Sequence, residues 1–233
     1  MKIQIWSDFQ CPFCYMGEKK LENVISKMEL TTPIEIEFRA YQINPKAPEI
    51  PAETMLDHFM DGHDITPEQA ERRMAGITKM AAKAGLHYNL SGVKVCTSLP
   101  AHRLMKWAAR KLSPGKLRKL NFAIFKANFE DNLLISDLNI LADLATSVGI
   151  DRGETIDFLT TNKFTDSVMH DQEVIDTRED FEFVPFMLAP DGSVIQGVIS
   201  ENQILEWLKN AMDDSSEATM AKGDGCGPEG CGI

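Results

Sequence analysis

The sequence predicts an α/β fold that is interrupted by a long helical insertion. Short apolar segments with a strand-like pattern lie near both ends of the 233-residue chain, at 2–7 and 183–197. Between them, residues 52–164 carry apolar side chains at helical spacing without a strand pattern. We therefore expect residues 1–51 and 165–212 to form one discontinuous α/β domain, with 52–164 as an all-helical domain inserted into it.

The first segment predicts a β-α-β unit. Residues 2–7 have the composition of a buried strand, and the alternating segment Ile34–Arg39 has a strand period. Between these strands, 11–29 predicts a helix, with apolar residues on one face at Leu21, Val24, Ile25 and Met28. We expect Thr31-Thr32-Pro33 to end it. A helix that joins two strands of one sheet in this way makes them parallel, with a right-handed crossover.

The insertion predicts a series of helices. One begins at a capping box from Thr66 to Gln69, with Pro67 at the first helical position, and ends at Gly85. Further helices are expected near 100–112, from Pro114 onward, from Ser136 to Gly149, and near 153–161. Loops of this length without secondary structure are uncommon in compact domains, so a helical domain is the better interpretation.

The last segment returns to the α/β pattern. We expect a helix over 165–180, a strand over Phe183–Leu188 and a return strand over Val194–Gly197, joined by a tight turn. A second capping box, Ser200 to Gln203, opens a final helix. Residues 213–233 are rich in Asp, Ser, Glu and Gly, so the sequence predicts a flexible tail that contains Cys226 and Cys231.

The amino-acid composition argues against some classes of binding partner. The net charge of −11 argues against a nucleic-acid surface and against a basic membrane-binding patch. No run approaches the ~18 apolar residues of a membrane helix. The chain enters its first strand directly, without an apolar leader, so we expect a cytoplasmic protein. In that setting its five cysteines are expected to be catalytic or free rather than a disulfide framework.

The pair Cys11 and Cys14, separated by Pro12 and Phe13, stands where the first strand leads into the first helix. We expect Cys11 in the first helical turn and Cys14 one turn further along. The free N–H groups of a helix start favour an anion, and the thiolate is the nucleophile in disulfide exchange. This spacing also allows Cys14 to attack a mixed disulfide formed at Cys11. A nearby Asp8 carboxylate would oppose the thiolate.

Two other interpretations of the pair stay open at this point. It could be half of a zinc site, or a buried inert pair. A structural zinc site usually has four Cys or His ligands. The other close pair, Cys226 and Cys231, lies in the glycine-rich tail, so we predict no metal. That tail pair is itself either an auxiliary redox pair, two incidental thiols, or a metal site.

The order of elements, with C-x-x-C at the first helix and Val-Pro at the third strand, resembles the thioredoxin fold, and the helical insertion resembles the DsbA family. Segments 11–17, 101–108 and 125–129 are similar to its cytoplasmic FrnE-like branch. That branch is related to 2-hydroxychromene-2-carboxylate isomerases and kappa-class glutathione transferases. The resemblance covers residues 1–212.

The resemblance implies a thiol-disulfide oxidoreductase of protein or small-molecule thiols and disulfides, with no bound cofactor. Cys11 would be the nucleophile, Cys14 the resolving cysteine, and Pro185 a cis-proline facing Cys11. The implied substrate-binding residues are Pro12, Phe13 and Val184. The family often has glycine where this chain has Phe183, which affects the groove and the choice of substrate. The isomerase branch usually has serine at the Cys11 position, so Cys11 favours redox chemistry.

Two other functions remain as alternatives. One is a glutathione-dependent isomerase or transferase, in which Cys11 activates glutathione as a co-substrate. The other is a non-enzymatic binding protein that uses the helical domain. The sequence leaves open whether the chain forms a homodimer, which substrate it takes and in which direction the redox reaction runs.

Overall fold

The computed structural model describes residues 1–29, 33–213, 220–227 and 230–231. The chain divides into two compact units. One comprises Met1–Ile43 with His170–Ile233, and the other Asn44–Met169. The first contains the sheet and the second is helical. The expected α/β fold with a helical domain inserted between its two halves is therefore confirmed.

A five-stranded sheet forms the centre of the first unit. Its strands are β1 Lys2–Ser7, β2 Glu35–Ala40, β3 Phe186–Leu188, β4 Val194–Gln196 and β5 Met220–Lys222, in the spatial order β2-β1-β3-β4-β5. Strand β1 runs parallel to β2, with Lys2 opposite Glu35. Strand β3 is antiparallel to both β1 and β4. The predicted β-α-β unit and C-terminal hairpin are both confirmed.

The helices of the described chain are given in sequence order. They are α1 Pro12–Lys27, α2 Met55–His63, α3 Pro67–Lys83, α4 Leu99–Ala108, α5 Pro114–Phe129, α6 Leu138–Ser147, α7 Arg152–Leu159, α8 Thr165–Asp176 and α9 Glu201–Met212. In the first unit, α1 and α9 pack beside each other and cover one apolar core. That core includes Ile3 and Ile5 of β1, Leu21 of α1 and Leu208 of α9, each fully buried. Packing in this core holds helix α1 against strand β1.

Local sequence signals explain most helix ends. The predicted capping boxes at Thr66 and Ser200 are present, and Gly85 follows α3 with a left-handed φ of 84°. A further capping box at Thr54 pairs with Asp57 and starts α2. The predicted stop of α1 at Thr31-Thr32-Pro33 lies mostly outside the described residues; α1 itself ends at Lys27.

Strand β3 is shorter than the predicted Phe183–Leu188, because the hydrogen-bonding groups that precede it have other partners. The backbone N–H groups of Glu182 and Phe183 donate to the side chain of Gln196, at 2.7 and 3.1 Å. Val184 pairs with Cys226, and Pro185 has no N–H to offer a ladder. The regular strand therefore begins at Phe186.

The segment 213–233, for which the sequence predicts a flexible tail, contains strands among the residues described there. Strand β5 adds to the sheet beside β4. Strands β6 Cys226–Gly227 and β7 Gly230–Cys231 then form an antiparallel pair. Glycines make this path possible, since a Cβ on Gly225 would lie 2.7 Å from the carbonyl oxygen of Val184. Composition alone suggested mobility because those glycines fit a loose tail and a close-packed strand equally well.

Within the described part of the chain, none of the helices has both the length and the apolar character that crossing a membrane requires.

Candidate active site at the start of helix α1

Cys11 is the N-cap of α1. Its backbone is extended, with φ −96° and ψ 113°, and Pro12 follows as the first helical residue. The expected placement, with Cys14 one turn beyond Cys11, is therefore corrected. Cys11 precedes the helix and Cys14 is the third residue within its first turn. The backbone explains this, since the Cys11 N–H donates to the Asp8 carbonyl at 3.0 Å and closes a turn before the helix.

The sulfur of Cys11 takes the place that a serine or aspartate oxygen usually has at an N-cap. It accepts a hydrogen bond from the Cys14 backbone N–H at 3.4 Å. The Cys11 sulfur therefore lies at the N-terminal end of α1, within reach of a backbone donor. Cys11 and Cys14 are both free thiols, and neither is exposed.

The surroundings of Cys14 favour its neutral thiol form. Burial raises the pKa of its thiol well above the ordinary 9.0, and the hydrogen bond and negative charge of Cys11 raise it further. The Asp8 N–H, which donates to the Cys14 sulfur at 3.4 Å, acts the other way but is the smaller effect. At neutral pH Cys14 is consequently a thiol.

Asp8 was expected to oppose the thiolate. In the structure its carboxylate oxygens accept the backbone N–H groups of Gln10 at 3.1 Å and Ile43 at 2.7 Å. Its own N–H favours negative charge on Cys14. Asp8 therefore shapes the loop that carries the cysteine pair, and the expected opposition of its carboxylate to a thiolate stays a prediction.

The expected cis bond is present between Val184 and Pro185. Pro185 packs against α1 at Gly17, where an added Cβ would lie 2.6 Å from the Pro185 Cγ. The cysteine helix and the proline segment therefore meet at a residue without a side chain. Sequence reasoning passed over Gly17, although a glycine within a predicted helix is a recognisable sign of close packing.

Val184 was expected to present its backbone to a substrate chain. In this structure its N–H donates to the Cys226 carbonyl at 3.0 Å, and its carbonyl accepts the Cys226 N–H at 3.2 Å. Cys226 is fully buried and disulfide-bonded, and Cys231 lies directly opposite in the strand pair. The chain's own C-terminal segment therefore occupies the backbone edge of Val184.

Tyr41 is a further residue near the cysteines that sequence reasoning missed. Burial is the main reason that its pKa is raised to about 12; negative charge on Asp176, Asp8, Cys14 and Cys11 adds to the shift. Tyr41 is therefore a neutral phenol at physiological pH. Its ring packs edge-on against Phe181, with centroids 5.3 Å apart. No local sequence signal pointed to it, because it follows β2, far along the chain from Cys11.

The other expected site residues are also located. Pro12 and Phe13 form the first turn of α1 and are buried. Cys96 is a buried free thiol in a loop of the helical unit. Among the residues that the structure describes, no group of three or more His, Cys, Asp or Glu side chains could hold a metal ion.

A thiol pair lies at the start of α1, and the cis-proline Pro185 packs against the same helix at Gly17. The chain belongs to the family of DSBA-like thioredoxin domains, which matches residues 2–212. This confirms the resemblance to the DsbA family drawn from the cysteine and Val-Pro segments.

Solved structures with the same fold include three informative examples. The probable DsbA oxidoreductase SCO1869 from Streptomyces coelicolor has a TM-score of 0.84 at 23% identity, covering 100% of this chain and 99% of its own. A 2-hydroxychromene-2-carboxylate isomerase has a TM-score of 0.63 at 15% identity, covering 91% and 95%. The cytosolic disulfide reductase DsbM from Pseudomonas aeruginosa has 0.59 at 16%, covering 92% and 100%. The fold therefore serves both redox enzymes and an isomerase.

Proposed function

We propose that this protein is a cytoplasmic thiol-disulfide oxidoreductase, with Cys11 as nucleophile and Cys14 as resolving cysteine. The observation that carries the proposal is the Cys11 sulfur at the N-cap of α1, accepting the Cys14 N–H. It places a hydrogen-bonded sulfur beside a second thiol that burial keeps protonated.

The proposed cycle has two exchange steps. The Cys11 thiolate attacks one sulfur of a substrate disulfide, the S–S bond breaks, and the departing sulfur leaves as a thiolate that takes up a proton. Cys14 then loses its proton and attacks the Cys11 sulfur. The mixed disulfide breaks, a Cys11–Cys14 disulfide forms, and the substrate has gained two electrons and two protons. Run backwards, the same steps oxidise a dithiol.

The raised pKa of Cys14 separates these steps in time. A protonated Cys14 cannot compete with Cys11 for the incoming disulfide, so Cys11 reacts first. Pro12, Phe13, Val184 and the cis-proline Pro185 are the residues we propose for contact with the substrate. Val184 contributes its backbone N–H and carbonyl, which an extended chain could pair with once Cys226 has left them.

We further propose that Cys226 and Cys231 form an auxiliary redox pair. The support is that Cys226 is disulfide-bonded and its backbone is paired with Val184, next to the cis-proline. In this proposal the disulfide exchanges with the Cys11–Cys14 pair. The partners proposed are protein or small-molecule thiols and disulfides, and the cytosolic DsbM supports a cytoplasmic setting.

A glutathione-dependent isomerase or transferase is the second candidate. Two similarities favour it: the fold of a 2-hydroxychromene-2-carboxylate isomerase, and a structure of DsbM with GSH at a TM-score of 0.61. In this alternative Cys11 would activate bound glutathione, and Cys14 would be dispensable. Cys14→Ser separates the two, since disulfide reduction should stall at a mixed disulfide while glutathione conjugation continues.

The deciding experiment measures the reduction potential of the Cys11–Cys14 pair. Wild type and Cys226→Ser/Cys231→Ser are equilibrated in glutathione buffers, and free thiols are counted. A reversible two-electron couple in the range of thioredoxin-fold enzymes supports the proposal, and its position gives the direction of the reaction. A different potential in the double variant would assign the tail pair to the cycle. Absence of any couple would overturn the oxidoreductase assignment.

A further inference from the structure

Gln196 is a fully buried side chain at the end of β4. Its amide oxygen accepts the backbone N–H groups of Glu182 and Phe183, at 2.7 and 3.1 Å. Its amide nitrogen donates to the Asp180 carbonyl at 2.7 Å. One side chain therefore satisfies three backbone groups of the loop 180–183 that leads into Val184 and Pro185.

The chemistry of this contact requires an amide. The Gln196 oxygen faces two donors while its nitrogen faces an acceptor, so the side chain must present both functions at once. A glutamate would keep the acceptor and lose the donor to Asp180. A methionine of similar length would lose both and leave two N–H groups without this partner. Buried polar groups that lose a partner are costly, so the loop would rearrange in either variant.

Gly197, the residue after Gln196, fixes the chain on the other side of Val184. The Gly197 N–H donates to the Pro185 carbonyl at 2.9 Å. Two consecutive residues at the end of β4 therefore fix the chain on both sides of Val184. With the flanking residues held, the N–H and carbonyl of Val184 keep the extended geometry in which they now pair with Cys226, at 3.0 and 3.2 Å.

We propose that Gln196 is a positioning residue that makes Val184 a docking edge for extended polypeptides, so that the preferred substrates are disulfides within peptide chains rather than small-molecule disulfides. The inference rests on the proposed oxidoreductase function and names its substrate class. Backbone pairing supplies affinity only to a chain with its own N–H and carbonyl groups, which a small disulfide offers poorly. Gln196 acts through the loop 180–183 and does not need to touch the reacting sulfurs.

The test compares full-length Gln196→Met and Gln196→Glu with a matched control, Ser193→Ala. Ser193 is also buried and hydrogen-bonded through its side chain, but at the opposite end of β4. All three are made in a Gly225→Ala background, because Cys226 otherwise competes for Val184 and would hide a change in peptide affinity. The readouts are kcat and KM with a disulfide-containing peptide, the rate with a small aromatic disulfide, and amide hydrogen exchange at Glu182 and Phe183.

Gln196→Met is expected to raise the KM for the peptide about tenfold, as the loss of a buried hydrogen-bonding partner implies, with kcat and the small-disulfide rate unchanged. Exchange at Glu182 and Phe183 should accelerate by a similar factor. Gln196→Glu should recover part of the effect because it keeps the acceptor. Ser193→Ala should change none of these values.

Two results would overturn the inference. One is an equal loss of peptide and small-disulfide rates in Gln196→Met, which would make the residue merely structural. The other is an unchanged peptide KM. Failure of the proposed function looks different, since no variant would then show a redox couple. In that case, binding of a peptide with serines in place of its cysteines still decides the role of Gln196: weaker binding to Gln196→Met supports it, and equal binding refutes it.

Discussion

Val184 and Cys226 exchange two backbone hydrogen bonds, at 3.0 and 3.2 Å, beside the cis bond to Pro185. The edge where a substrate chain is proposed to pair is thus taken by the protein's own C-terminal segment. A glycine sits directly before Cys226, and a Cβ there would lie 2.7 Å from the Phe183 Cβ and from the Val184 carbonyl oxygen. The contact therefore depends on a residue that can be changed without touching either cysteine pair.

Gly225→Ala should weaken this pairing and favour peptide substrates. The added methyl cannot fit between Phe183 and Val184, so the segment is expected to move away and leave Val184 open. The KM for a disulfide peptide should fall severalfold, while the rate with a small disulfide stays constant. Gly115→Ala is the matched control, since a Cβ there meets nothing within 4 Å. An unchanged KM in Gly225→Ala would mean that the C-terminal segment does not compete with substrate.

Gly17 and Gly76 are both helical glycines, and alanine should act on them with opposite signs. At Gly17 the new Cβ would lie 2.6 Å from the Pro185 Cγ, and both belong to a tightly packed interior. Overpacking of this kind costs about 1–3 kcal/mol, so the thermal midpoint and the activity should both fall.

At Gly76, which is exposed and has nothing within 4 Å, alanine should stabilise the helix by about 0.5–1 kcal/mol. Differential scanning calorimetry measures both variants. Equal midpoints for Gly17→Ala and wild type would show that the proline segment yields without cost. A lower midpoint for Gly76→Ala would contradict the assignment of its site as open.

The raised pKa of Cys14 predicts how the stability of the reduced protein depends on pH. Burial is the main cause, so the folded state holds this proton more tightly than the unfolded chain, whose thiol has the ordinary value of 9.0. The folded state then binds more protons above pH 9.0, and stability falls as the pH rises. Below that pH the contribution is fully present.

Cys14→Ser removes this titration, so its thermal midpoint should fall less steeply than that of wild type above pH 9.0. The measurement is made with a phosphine reductant to keep all thiols reduced. Tyr41, whose pKa is about 12, contributes in the same direction but is common to both proteins and cancels in the difference. Parallel curves for the two proteins would refute the assigned shift.

The sequence sufficed for those parts of the site that are encoded locally. Cys11, Cys14 and the helix that follows them are one contiguous segment, whereas the cis bond at Pro185 was expected only from the resemblance to the DsbA family. Gln196 and Gly17 act on Pro185 and the loop before it from elsewhere in the chain. Their roles depend on which strands become neighbours, and spacing along the sequence carries no signal of that. Glycine-rich composition likewise suggested a flexible tail, whereas the glycines permit close backbone pairing.

The ion pair between Arg39 and the buried Asp171 connects helix α8 to strand β2. Its loss should lower the stability of the fold far more than the loss of an exposed ion pair. The Asp171 carboxylate, 2% exposed, accepts from Arg39 Nη1 at 3.0 Å and from the Ala40 N–H at 2.8 Å. The backbone carbonyl of Asp171 also accepts a hydrogen bond from Trp6 Nε1, at 2.9 Å. These contacts join α8 to the ends of β1 and β2, next to the loop that carries Cys11.

Asp171→Ala should therefore lower the stability by about 2–3 kcal/mol. That is less than the cost of breaking a fully buried pair, because Arg39 is 27% exposed and keeps Glu37 at 2.9 Å. Asp143→Ala is the control: its partner Arg152 lies at 2.7 Å, but both side chains are about half exposed or more, so no measurable change is expected. Urea unfolding of both variants gives the comparison. A similar midpoint for the two would show that burial of Asp171 adds nothing to its pairing with Arg39.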